Sequence, residues 1–155
     1  MLLKTHYLIT IFFILLFIPI VEHKIIFFVV ALIATQIPDV DARYSKLGSK
    51  KIARILQWFT KHRGMIHSFT FLLSLTIILV LIFPIAGFGF FLGYGLHLFA
   101  DSFTPDGIRP FYPSKKSSSW KIRTGGKIEK IILGILAIAD IVLLLKRVGF
   151  YNYIL

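Results

Sequence analysis

The stretch MIHSFTFLLSLTIILVLIFPIAGFGFFLGYGLHLFAD, from Met65 to Asp101, decides the fold. It holds two apolar runs, Met65–Phe83 and Ile85–Ala100, broken at Pro84. Proline cannot continue the first helix, so a tight helical hairpin is expected there. Gly87, Gly89, Gly93 and Gly95 line the second run. Gly89 and Gly93 have the small-xxx-small spacing that lets helices approach closely. The segment Gly-x-Gly-Phe-Phe-Leu-Gly is no nucleotide fingerprint, because no strand–turn–helix context surrounds it.

Three more apolar runs lie outside this stretch: Tyr7–Val21, Ile25–Ile37 and Ile131–Leu145. A full membrane span takes about 20 apolar residues, so several of the five runs are short and need flanking residues or local thinning of the bilayer. The first run resembles a leader, with Lys4 ahead of it, but Pro19-Ile20-Val21-Glu22-His23 offers no small-residue cleavage site and the run is read as retained. Of 155 residues, 57% are hydrophobic, 15% aromatic and 16% charged, with a mean hydropathy of +0.82. Soluble domains carry roughly 25% charged residues, so a bilayer is the expected solvent. The absence of Cys excludes thiolate chemistry, Cys-based zinc sites and iron–sulfur clusters. The expected fold is all-α: one membrane-embedded helical domain over residues 1–155, with four to five transmembrane helices.

The net charge of +11 would suggest nucleic acid in a soluble protein. Here the basic residues sit between apolar runs and serve topology. Segment 38–64 has seven Lys/Arg against Asp39 and Asp41; segment 101–130 has seven against Asp101, Asp106 and Glu129. Positive-inside logic places both loops and the N-terminus in the cytoplasm. A multi-pass protein of the inner (plasma) membrane is therefore expected, with lipid rather than nucleic acid around it.

Histidines and acids recur where apolar runs meet that face. His6 opens the first run, and Asp39 and Asp41 follow the second in Pro38-Asp39-Val40-Asp41. His62 and His67 open the third, and His97 and Asp101 close the fourth. His97 and Asp101 are four apart, so on a helix they share a face and can grip one ion. Imidazole plus carboxylate suits zinc, manganese or iron, in one or two ions, whereas copper(I) prefers thiolates. A bound metal would lower the pKa of a water and supply hydroxide at neutral pH. For any one histidine at a run end interfacial anchoring is the commoner role, and a lone Pro-x-Asp-x-Asp pair is a common loop; the convergence is the signal. Arg63 can bind a phosphate or carboxylate. Asp140, deep in the fifth run, is read either as a structural residue that pairs with a Tyr, Lys or backbone group of another helix, or as one without an assigned role. Thr104-Pro105-Asp106-Gly107-Ile108-Arg109-Pro110 reads as a rigid turn folding the loop back over the membrane surface.

Taken together, Pro-Asp-x-Asp, His-Arg-Gly-x-x-His-Ser and Gly-Tyr-x-x-His-x-x-x-Asp-x-x-Thr-x-x-Gly resemble the LexA-regulated, membrane-bound metal-dependent hydrolase family of small inner-membrane proteins, over about residues 4–113. The resemblance implies a multi-span helical protein with a metal site and hydrolase activity on an undefined substrate. Carried onto this chain, it implies a site of His6, Asp39, Asp41, His62, His67, His97 and Asp101, with Arg63, Ser68 and Thr104 nearby. Within that set His6, Asp39, Asp41, His67, His97 and Asp101 are the expected metal ligands, and the catalytic candidates are His62 (or one of the carboxylates) as general base and Arg63 as stabiliser of negative charge. Ile66 and Leu96 depart from the family's usual Thr and Ser, removing hydrogen bonds around the site but no ligand.

Other phosphoester families fail on motif. The Pro-Ser-Gly-His segment of lipid phosphate phosphatases, the Asp-Gly-x-x-Ala-Arg run of CDP-alcohol phosphotransferases and the His-Glu-x-x-His zinc motif are all missing. The leading expectation is a metal-dependent hydrolase acting on an ester or phosphoester at the cytoplasmic face. A non-catalytic metal-binding or transport protein is the alternative, and a purely structural protein the third reading.

Overall fold

Prolines set the first boundaries, since a residue without an N–H suits a helix start but not a helix interior. The computed structural model describes residues 1–41 and 64–152. Helix α1 (Leu3–Phe17) gives way to a 3-10 turn, Ile18–Ile20, that contains Pro19. Helix α2 (Lys24–Gln36) runs into a second 3-10 turn, Ile37–Asp41. Helix α3 (Phe69–Ile82) and helix α4 (Pro84–Ser102) form the hairpin, with Pro84 in the first turn of α4. Helix α5 covers Lys127–Asn152. The described residues contain no strand, only the isolated bridge between Ile108 and Ser118.

Helix α3 starts four residues later than the apolar run. Ser68 is its N-cap, accepting from the Phe71 N–H at 3.2 Å, and a serine in that role ends the preceding turn more effectively than apolar character extends the helix. Residues 65–68 are left as a turn, which carries His67.

Helix α4 is central, packed against α2, α3 and α1, while α5 lies along α1. Glycine explains the α2–α4 contact. A Cβ on Gly89 would sit 2.8 Å from the Phe27 carbonyl oxygen, and one on Gly93 would overlap the Ala31 carbonyl. Only hydrogen at these positions lets the backbones meet. Ala34, Ile66, Leu72, Phe90, Tyr94, Leu98 and Ile108 form the core beside this contact.

The Leu2 N–H donates to Glu129 Oε1 at 2.7 Å, and the Phe69 N–H donates to the Pro110 carbonyl at 2.9 Å. The starts of α1, α3 and α5 and the ends of α2 and α4 thus share one end of the bundle. At the other end, Arg147 Nε donates to the Leu15 carbonyl, so α1 and α5 run parallel.

Much of the outer surface is apolar. Ile77, Leu81 and Ile82 of α3 and Ile131, Ile135, Ile138 and Leu145 of α5 are exposed. Such a surface suits lipid rather than water. Among the described residues one helical segment, Leu3–Ile20 with 18 residues, is long and apolar enough to cross a membrane by length and composition; α3 is apolar but shorter.

Candidate metal centre

Four pieces of backbone bring the site together at the shared end of the bundle. His6 comes from the second turn of α1, Asp39 from the 3-10 turn after α2, His67 from the turn before α3, and His97 and Asp101 from the last turns of α4. The i, i+4 spacing places the last two on one helical face, with His97 Nε2 3.8 Å from Asp101 Oδ2. His6, His67, His97 and Asp101 are buried, and the Asp39 side chain is 28% exposed. Asp39 therefore opens the cluster to the outside.

The interatomic distances are informative. His97 Nε2 lies 3.7 Å from Asp39 Oδ1; His67 Nε2 lies 4.0 Å from both Asp39 Oδ1 and Asp101 Oδ2. His6 Nε2 is 3.3 Å from Asp101 Oδ1. Separations of 3.7–4.0 Å are too long for N–H···O hydrogen bonds. They are close to what a shared cation imposes: ligand atoms about 2.1 Å from a tetrahedral centre stand roughly 3.4 Å apart. Both ring nitrogens of His97 are buried without a hydrogen bond, a costly state for a polar group. The donor set of three imidazoles and two carboxylates is one that zinc, manganese and iron accept. Two triads have ligand atoms within 4.8 Å of one another, His6–His97–Asp101 and Asp39–His67–His97, so this buried cluster could hold a metal ion. His97 belongs to both.

Neighbouring groups fix these ligands. Tyr94 Oη donates to the Ile66 carbonyl at 2.7 Å, and Ser68 Oγ donates to the Met65 carbonyl at 2.6 Å, holding the turn on either side of His67. Thr104 Oγ1 donates to the Asp101 carbonyl at 2.7 Å and accepts from the Gly107 N–H at 3.3 Å, closing the end of α4. Burial pushes the Asp39 carboxyl above its ordinary value, against the opposing pull of the His6 and His67 rings.

Of the sequence-derived ligands, the structure brings together His6, Asp39, His67, His97 and Asp101. The Asp41 backbone lies in the 3-10 turn, but its side chain, like His62 and Arg63, falls outside the described residues. Asp140 corrects its reading as a paired residue: its carboxyl is buried with no hydrogen-bond partner among the described residues. Sequence reasoning missed two groups. The Met1 ammonium contacts Asp101 Oδ1 at 2.6 Å. Glu129, which has no histidine close in sequence, is buried and accepts from the Leu2 and Gly125 N–H groups at 2.7 and 2.5 Å. Burial pushes its carboxyl up, but these two N–H groups, with the Thr5 side chain and the Met1 ammonium, together hold it below the ordinary glutamate value. No sequence signal marks it, because its partners are backbone N–H groups.

Comparison with known families and proteins places the chain in its setting. The profile of the YdjM inner membrane protein family matches residues 1–154, and the chain belongs to that family. The family description speaks of membrane location, not of an activity. Neither a curated protein nor a solved structure matches.

Proposed function

We propose that this member of the YdjM inner membrane protein family is a metal-dependent hydrolase working at the cytoplasmic membrane surface on an ester or phosphoester. The observation that carries the reading is His97 Nε2, buried without a hydrogen bond and 3.7–3.8 Å from carboxylate oxygens of Asp39 and Asp101. His6, Asp39, His67, His97 and Asp101 would hold the ion, with Asp41 as a further ligand by its place in the sequence. A divalent cation bound there supplies Lewis acidity and makes water a nucleophile at neutral pH. His62, or one of the carboxylates, is assigned as the base that takes a proton from an incoming water, Asp39 being the cluster carboxylate that reaches the surface. Arg63 is assigned as the cation that steadies developing negative charge.

The topology proposed with it is four to five spans, with N-terminus and site inside. Its support is the alternating direction of the helices, the basic loops at the site end and the lipid-suited outer surface. A second reading, metal binding or passage without catalysis, draws on Asp140, whose buried carboxyl lies within an otherwise apolar stretch of α5.

Elemental analysis of detergent-purified protein tests the site, wild type beside His97→Ala/Asp101→Ala. About one or two equivalents of zinc, manganese or iron, lost in the double variant, are expected for a cluster of this size. Hydrolysis of ester or phosphoester substrates that requires the same residues then separates catalysis from storage or passage. Protein free of metal after growth in metal-replete medium would leave the charges as anchors only.

A further inference from the structure

The loop between α4 and α5 is more basic on its surface than its composition states. The two acids at its ends, Asp101 and Glu129, are turned inward and buried. Between them, residues 102–128 expose six Lys/Arg against one acid, Asp106. The same loop exposes large aromatic side chains: Phe111 is 69% and Trp120 66% accessible. The loop has a definite shape. Ile108 and Ser118 exchange backbone hydrogen bonds at 2.9 Å, the Trp120 N–H donates to the Thr104 carbonyl and the Ile122 N–H to the Phe103 carbonyl. The Phe69 N–H ties it to the start of α3 through the Pro110 carbonyl. Buried Ile108 pins it to the core.

We infer that this loop is a lipid-binding surface whose partner is the anionic headgroup layer of the bilayer that holds the helices. Trp120 seats in the interfacial zone, which amphipathic rings favour, the apolar ring of Phe111 enters beside it, and Lys115, Lys116 and Lys121 meet the negative headgroups. Nucleic acid, the other polyanion, is disfavoured by position: the loop emerges directly from α4 and leads directly into α5, so its exposed face adjoins the membrane surface. The inference rests on the proposed topology, not on a metal or on hydrolysis.

Trp120 provides the probe. The chain has two tryptophans, so Trp58→Phe in the full-length protein leaves one. In nanodiscs containing phosphatidylglycerol, brominated phospholipid should quench Trp120, and aqueous iodide should not. In phosphatidylcholine discs the lipid quenching should fall, as it should in phosphatidylglycerol discs once Lys115→Ser/Lys116→Ser is added. Each charge removed should weaken anionic-lipid binding about five-fold. Equal quenching in both lipids would overturn the anionic preference. Quenching by iodide alone would overturn bilayer contact, and protection from both quenchers would indicate a protein partner instead. If Trp58→Phe does not fold, native mass spectrometry of the wild type answers the same question: phosphatidylglycerol should be retained over phosphatidylcholine, and the double serine variant should lose that preference. A gel shift with duplex DNA that displaces phosphatidylglycerol would overturn the assignment in favour of nucleic acid.

Discussion

The ring of His6 lies flat against that of His97, with centroids 4.0 Å apart and planes 9° from parallel. This contact joins α1 to α4 at the site and leaves each ring edge facing Asp101. It also ranks the ligands. His97 is common to both candidate triads, whereas His6 and Asp39 each belong to one. His97→Ala should therefore abolish metal retention, while His6→Gln and Asp39→Asn should each keep metal at an affinity reduced at least about tenfold, the equivalent of 1.4 kcal/mol. Elemental analysis after dialysis against graded chelator checks the order. Equal loss in all three would show that neither triad holds metal without the other.

Tyr94 acts on the site at one remove. Its hydroxyl donates to the Ile66 carbonyl, the residue before His67, from a fully buried position. Tyr94→Phe leaves that carbonyl without this donor and should cost about 1–3 kcal/mol of stability. If the bond positions His67, chelator resistance should fall as well, at a temperature where the variant is fully folded. Thermal unfolding in detergent, paired with the chelator titration, separates the two effects. A variant that loses stability but retains metal as wild type does would make Tyr94 a core residue only.

The α2–α4 contact makes a sharper prediction. Gly93→Ala drives a methyl group into the Ala31 carbonyl, where backbone rather than a flexible side chain must yield. A cost of about 1–3 kcal/mol or more is expected. Gly95→Ala on the same helix meets only Leu72 Cδ2 at 3.4 Å and should be tolerated. Chemical denaturation in detergent compares them; similar stability for both would mean that α2 and α4 lie farther apart.

How much of this was readable in advance depends on the range of the interaction. Among the described residues the five helices and the hairpin at Pro84 follow from local signals, apolar runs and a residue without an N–H. The gathering of His6, Asp39, His67, His97 and Asp101 followed from a single idea, that run ends of alternating direction share one face. The start of α3 was misplaced because Ser68 capping competes with an apolar run that continues through Met65. Glu129 was invisible for a different reason. Its partner Leu2 lies 127 residues away and offers only a backbone N–H, which no side-chain pattern encodes. Asp140 was assigned a partner because an unpaired buried carboxyl is costly, and among the described residues the fold supplies none.

Glu129 gives the pH dependence its sign. Burial raises its carboxyl, but the Gly125 and Leu2 N–H groups, with the Thr5 side chain and the Met1 ammonium, together hold it below the ordinary glutamate value. A depressed carboxyl stabilises the fold above its unfolded pKa, about 4.3, and that stability is lost as pH falls through the lower folded value. Glu129→Gln replaces charge-assisted hydrogen bonds by neutral ones and should cost about 1.5–3 kcal/mol near pH 7. For a chain of this size that is roughly 3–10 °C in Tm. The gap between variant and wild type should stay constant from pH 7 down to about 5 and close below about 4.3, where the wild-type carboxyl begins to take up its proton in the unfolded chain. Thermal melts of both proteins in one detergent across that range test it. A gap that persists at the acid end would assign the loss to packing around α5, and one that is absent at pH 7 would remove Glu129 as the tie between the start of α1 and the start of α5.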